Sequence, residues 1–236
     1  MRISFLGTAA GERFPDAFCG CQRCQDARRE GGRSLRLNSA ALINDELLID
    51  FGPDIAVASM RFGIPLYEIP YAVQTHPHDD HLDRLAFSSR SANCQAQTTR
   101  THYFCSAATL RRVGELFGDG ANGADITDRS FLESLNLTIS IVEPWQEFSF
   151  GPYRIQTVAA NHGAAIEAML FAIAHERGGQ IFYGTDTGPL PPDTWPRLAE
   201  LGWLFDVLIL DHTFGFAARN AGHLNAEQFL EEVGAA

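Results

Sequence analysis

No stretch of this chain approaches the roughly 18–20 uninterrupted apolar residues that a membrane-spanning helix requires, so none is expected. The opening Met1-Arg2-Ile3-Ser4-Phe5-Leu6-Gly7 is too short and too soon broken for a secretory signal and reads as a first strand, which points to a cytoplasmic protein. Internal repeats, low-complexity tracts and Pro/Ser linkers are missing too, so residues 1–236 are expected to form one domain. Positive charge is scarce: 18 Lys and Arg against 29 Asp and Glu give a formal net charge of −11. Nucleic-acid binding depends on Lys and Arg neutralising phosphates, so a long polyanion is a poor candidate partner. Bound divalent cations would offset part of the excess. Cysteine is sparse, and its placing argues against a disulfide framework: five residues, an odd number, with Cys19, Cys21 and Cys24 crowded into six positions. That cluster looks like a metal clip, whereas the isolated Cys94 and Cys105 are expected to be small buried apolar residues.

What is present suits a folded globule, with 45% hydrophobic and 20% charged residues. Short runs rich in β-branched or aromatic residues, bounded by Gly, Asn, Asp or Pro, predict strands at Arg2–Leu6, Ser39–Ile43, Leu47–Asp50, Tyr71–Gln74, Thr101–Cys105, Leu137–Val142, Tyr153–Ala159, Ala168–Ala174, Gln180–Tyr183 and Asp206–Leu210. Helices are predicted at Asp54–Phe62, Leu82–Ser91, Ala107–Phe117, Asp193–Leu201 and Ala226–Val233, the last opened by Asn225 with Gln228 completing a capping box. Many short strands with interspersed helices suit an α/β architecture of two mostly antiparallel sheets packed face to face, helices outside.

The chemistry concentrates in His76-Pro77-His78-Asp79-Asp80-His81, directly after the strand at Tyr71. Four metal-competent side chains in six residues converge if the loop curls around a common point. Imidazole with carboxylate suits Zn²⁺, Mn²⁺ or Fe²⁺ rather than the all-oxygen shells of Ca²⁺ or Mg²⁺.

His76-x-His78-x-Asp80-His81 after a strand resembles the hallmark of the metallo-β-lactamase superfamily, whose fold is an αββα four-layer sandwich. Asn161-His162-Gly163 and Tyr183-Gly184-Thr185-Asp186-Thr187-Gly188 resemble that family's later landmarks. The resemblance implies that His76, His78 and His162 hold one metal, Asp80 and His81 a second, and that Asp186 bridges them. The segment Phe5-Leu6-Gly7-Thr8-Ala9-Ala10-Gly11, then Pro15, then Cys19-x-Cys21-x-x-Cys24, is similar to the PhnP type of phosphodiesterase, which acts in phosphonate breakdown and opens a ribose cyclic phosphate. The related PqqB type, of quinone-cofactor biosynthesis, shares a similar opening. This branch implies a zinc clip over residues 15–36, in which Cys19, Cys21 and Cys24 hold a structural zinc.

Members of the branch carry a Thr-His-x-x-His type segment after the last strand, and this chain, ending at Ala236, is expected to be shortened there. His212 and His223 are the candidates for a substitute ligand or for a general acid that protonates a leaving alkoxide. Arg33 and Arg36 are candidates for gripping a substrate phosphate, since guanidinium matches its oxygens bidentately. His102 and His175 read as surface or satisfied histidines.

The expected function is hydrolysis of a small phosphodiester by a hydroxide held between two divalent transition metals, zinc or manganese, with Asp80 both ligating and orienting. A lactone or thioester substrate, a PqqB-like role in cofactor biosynthesis and an inactive metal-binding remnant are the alternatives. A small-molecule partner is expected, no membrane, and there is room for a homodimer.

Overall fold

The computed structural model describes residues 1–118, 128–163 and 165–236. The chain divides into two compact units: residues 2–105 with 109–141, and residues 106–108 with 142–236 and Met1.

The first unit is built on a six-stranded sheet of β1 (Ile3–Gly7), β2 (Ala40–Ile43), β3 (Leu47–Ile49), β4 (Tyr71–Val73), β5 (Thr101–Cys105) and β6 (Leu137–Ile141), in that spatial order. β1, β2 and β3 pair antiparallel, while β3, β4, β5 and β6 pair parallel. The sheet is therefore mixed, not mostly antiparallel as the strand pattern suggested. β2 and β3 are buried along their whole length, which is why they read as continuous apolar runs without alternation. Their connection turns through Asn44 and Asp45, both at positive φ, a conformation these two residue types tolerate.

Parallel strands need crossovers. Helix α1 (Gln22–Glu30) lies in the β1–β2 connection, where a loop was expected. α2 (Ile55–Phe62) links β3 to β4, and α3 (Arg84–Ser88) links β4 to β5. α3 is shorter than the predicted Leu82–Ser91; Asp83 starts it by accepting from the Leu85 and Ala86 amides. α4 (Ala107–Phe117) and α5 (Arg129–Ser134) lie between β5 and β6. Apolar residues of β1–β6, α2, α3 and α4 form one core around Leu42, Phe51, Phe87 and Tyr103. Each such side chain contributes about 1.5–3 kcal/mol by leaving water. Cys105 is buried as expected, but Cys94 is exposed, on a short turn after α3 rather than in a core strand.

The second unit holds a five-stranded sheet in the order β11 (Val207–Leu210), β10 (Gln180–Gly184), β9 (Met169–His175), β8 (Tyr153–Ala159) and β7 (Glu147–Phe150). β7 was not foreseen; Glu-Phe-Ser-Phe is too brief an alternation to stand out. β7 to β10 pair antiparallel, and β11 joins β10 in parallel through the crossover helix α6 (Thr194–Glu200). Because β8 and β10 are both antiparallel to β9, the C-terminal ends of β8, β10 and β11 lie at one edge of the sheet. The last helix, α7 (Ala226–Ala235), opens with the expected Asn225–Gln228 capping box. Among the described residues no helix is long and apolar enough to cross a membrane.

Candidate metal centre

In the first unit the histidine loop leaves the C-terminal end of β4, beside the C-terminal end of β3. Ligand sites of parallel sheets form at such carboxyl ends. His76 Nε2 and His78 Nδ1 lie 3.0 Å apart, and the His76 and His81 ring centroids are 4.2 Å apart. Asp80 Oδ2 is 3.5 Å from His81 Nε2. At 3.0 Å one imidazole can donate to the other, but four metal-competent side chains of one short loop gathered in this way also fit donors arranged around a cation.

Three residues that the sequence reading passed over hold this loop. Asp50 follows β3, is fully buried, and lies 2.7 Å from His81 Nδ1. It also accepts from the Thr75 amide, the Thr75 hydroxyl and Gln74 Nε2. Burial pushes its carboxyl above the ordinary range, with His81 the main opposing influence. Gln74 ties strand to loop: its Oε1 accepts from the Phe51 amide and the Tyr103 hydroxyl, and its Nε2 donates to the His81 carbonyl at 2.8 Å. Thr75 Oγ1 lies 3.0 Å from His76 Nδ1. With Nδ1 engaged, His76 and His81 each present Nε2, which is how outer partners orient metal-binding imidazoles. A lone carboxylate ending an otherwise apolar strand, as in Leu47-Leu48-Ile49-Asp50, was the available signal for Asp50. The loop also explains Gly52: a Cβ there would stand 2.6 Å from the Asp80 carbonyl oxygen.

In the second unit, ligand atoms of His162, Asp186 and His223 all lie within 4.8 Å of one another. They come from the loops after β8, β10 and β11. Asp186 sits at φ +52°, an uncommon conformation for a non-glycine residue. Gly188 of the same loop packs on residue 221, where a Cβ would meet the Ala221 carbonyl oxygen at 1.8 Å. His162 Nδ1 is 3.0 Å from the Gly222 carbonyl, and His223 Nδ1 is 2.7 Å from Asp211 Oδ2. Asp211, itself buried, also accepts from the Thr187, Thr213 and Leu224 amides.

Of the two substitute-ligand candidates, His223 joins His162 and Asp186. His212 is exposed and packs edge-on against Phe229, with centroids 5.6 Å apart. Arg33 and Arg36 are both exposed, and Arg36 lies over the Phe14 ring at 5.2 Å. His102 bonds Ser140 and stacks on Phe104, and His175 accepts from the Arg177 amide.

The sulfurs of Cys19, Cys21 and Cys24 also lie within 4.8 Å of one another. Cys24 is buried on α1, and Cys21 occupies the N-cap of that helix, where the helix dipole favours a thiolate.

A profile described as a β-lactamase superfamily domain matches residues 46–236. No curated protein sequence matches the chain. Among solved structures, a diphosphatase from the PhnP family superposes with a TM-score of 0.73 at 18% identity, over 98% of this chain and 81% of that one. Zinc-bound PqqB from Methylobacterium extorquens gives 0.68 at 15% identity, over 95% and 81%. The short form of human tRNase Z gives 0.67 at 15% identity, over 100% and 88%. At these identities the likenesses speak to the fold.

Proposed function

Since the chain belongs to the β-lactamase superfamily and has the α/β metallo-β-lactamase fold, we propose that it is a metal-dependent hydrolase of a small phosphodiester. A ribose cyclic phosphate is the form that the resemblance of its N-terminal segment and cysteine cluster to PhnP-type enzymes favours. The observation that carries the reading is that His81 and His223, each in its own set, are backed on Nδ1 by a buried aspartate. Histidines held in this way present Nε2 as a ligand rather than as a proton donor.

In the arrangement that the family resemblance implies, His76, His78 and His162 would hold one zinc or manganese ion. Asp80, His81 and, in this proposal, His223 would hold a second, with Asp186 shared. Residues 1–236 would then act as one domain. When bound, such a metal pair lowers the pKa of water and offsets charge on the phosphoryl oxygens under attack. The chain's own side chains supply orientation. Asp50 keeps the His81 proton on Nδ1, Asp211 does the same for His223, and the Gly222 carbonyl does so for His162. With His223 committed as a ligand, protonation of the leaving alkoxide falls to His212, the exposed imidazole next to Asp211. Arg33 and Arg36 are the candidates for contacting a phosphate oxygen. Cys19, Cys21 and Cys24 would take a structural zinc and fix the 15–36 segment.

The test pairs elemental analysis with hydrolysis of bis(p-nitrophenyl) phosphate on one preparation. At least two transition metals per chain are expected at the histidine sites, with turnover that disappears in His78→Ala. Absence of turnover after loading with Zn²⁺ or Mn²⁺, or cleavage of a thioester or lactone instead, would overturn the substrate assignment. His212→Ala should lower the rate by about 10²-fold or more for an alkyl leaving group, which needs a proton, and far less for p-nitrophenolate.

A further inference from the structure

Away from both histidine sets, the first unit contains a cavity of about 570 Å³ bounded by α2, the turn at Leu66–Glu68, α3 and residues 96–98. That volume lies within the roughly 300–1,000 Å³ of small-molecule sites. Its walls are mostly apolar, with Phe51, Ile55, Leu66 and Ile69 among them. Met60, which is 78% exposed, and Leu85, which is 67% exposed, also line it. Exposed apolar side chains that extend an apolar cavity are one mark of a ligand-binding groove.

Two charged residues line the cavity, Asp83 and Arg90. The Asp83 carboxylate is engaged as the cap of α3, accepting from the Leu85 and Ala86 amides at 2.9 and 3.2 Å. Arg90 has no carboxylate partner among the described residues. Its Nη2 donates to the Thr99 carbonyl, the Thr101 hydroxyl and the Asn136 carbonyl, all neutral acceptors. Its Nε is buried without a hydrogen-bond partner. Burial alone pushes the guanidinium pKa down to about 10. A desolvated cation without a counter-ion is costly, and the complement it lacks is an anion carried on an apolar body.

We propose that this cavity binds a medium-chain aliphatic carboxylate, its chain against Phe51, Ile55, Leu66 and Ile69 and its carboxylate at Arg90. With Nη2 engaged and Nε enclosed, Nη1 is the donor left for a carboxylate, and a charge-assisted bond there suits this choice over a neutral lipid. The proposal uses neither histidine set, so it stands apart from the hydrolase reading.

The test is calorimetric titration of the full chain with decanoate, decan-1-ol and decyltrimethylammonium. Decanoate should bind at one site at least about tenfold more tightly than decanol, as a charge-assisted bond implies, and the ammonium compound should bind most weakly. Ala56→Trp, which fills the cavity from the exposed face of α2, should abolish decanoate binding; this also separates the cavity from carboxylate capture by a metal. Arg90→Met should bring decanoate to the level of decanol, with circular dichroism confirming the fold. Should that variant unfold, the wild-type headgroup comparison and Ala56→Trp decide. Equal affinity for decanoate and decanol, no decanoate binding, or binding unchanged in Ala56→Trp would overturn the proposal.

Discussion

The two histidine sets are each steadied by a buried aspartate, but the aspartates are held differently. Beside the Thr75 amide and Gln74 Nε2, which bond its Oδ1, Asp50 has two partners that can change roles: the Thr75 hydroxyl can rotate, and the His81 ring can shift its proton. Asp211 is surrounded by three backbone amides, which can only donate, as well as by His223. The first aspartate orients the His81 ring. The second orients the His223 ring and also closes the loops that carry it, because Thr187, Thr213 and Leu224 belong to the segments after β10 and β11.

Removing a ligand from either set should have the largest effect. His76→Ala and His223→Ala are each expected to lower phosphodiester hydrolysis by more than the roughly 10–100-fold typical of outer partners, with loss of bound metal by elemental analysis. If His223→Ala keeps both metal and rate, the second set is not a ligand set and the parallel between the two regions fails.

Replacing the aspartates should separate them more finely. Asp50→Asn can keep its neighbours satisfied if His81 moves its proton to Nε2, so metal affinity should fall by about 10–100-fold, while unfolding free energy changes by less than about 1 kcal/mol. In Asp211→Asn both carboxylate oxygens face backbone amides, so the new NH₂ must oppose a donor; stability should fall by about 1–3 kcal/mol. Urea unfolding and metal titration on the same samples measure both quantities. Equal stability losses in the two variants would show that the aspartates are held alike after all.

Changes to the helical support of the second region should be smaller and confined to it. The buried Glu232 of α7 accepts from the Leu190 amide and Trp195 Nε1, joining the last helix to the segment beyond Asp186. Glu232→Ala should cost about 2 kcal/mol by leaving two buried donors unpaired. Asn225→Ala, which removes the cap of α7, should cost about 1 kcal/mol. Both should leave the chemical shifts of His76, His78 and His81 in place, which NMR of the imidazoles would check.

The clustering of His76, His78, Asp80 and His81 was legible in the sequence because a loop six residues long keeps its side chains together however the rest of the chain folds. The strands were legible for a similar reason: burial on both faces leaves an apolar run that local composition reveals, as at Leu47–Ile49. The parallel pairing of β3 through β6 was not, since parallel and antiparallel partners have the same strand composition. Nor was α1, whose Gln- and Arg-rich segment carries no apolar stripe. Asp50, Gln74 and Asp211 were passed over because a buried polar side chain looks in sequence like any surface one; only partners distant in the chain, as Gln74 and His81 are for Asp50 at 24 and 31 residues, give it meaning. The same holds for His212 and His223. Neither has a diagnostic spacing, and the choice between them was made by three strand ends meeting at one sheet edge. Sequence alone determined the chemical types available and one contiguous cluster of metal-competent side chains, because both are local. Tertiary structure decided which distant side chains complete each set and which nitrogen each imidazole presents, because those depend on contacts that chain order does not encode.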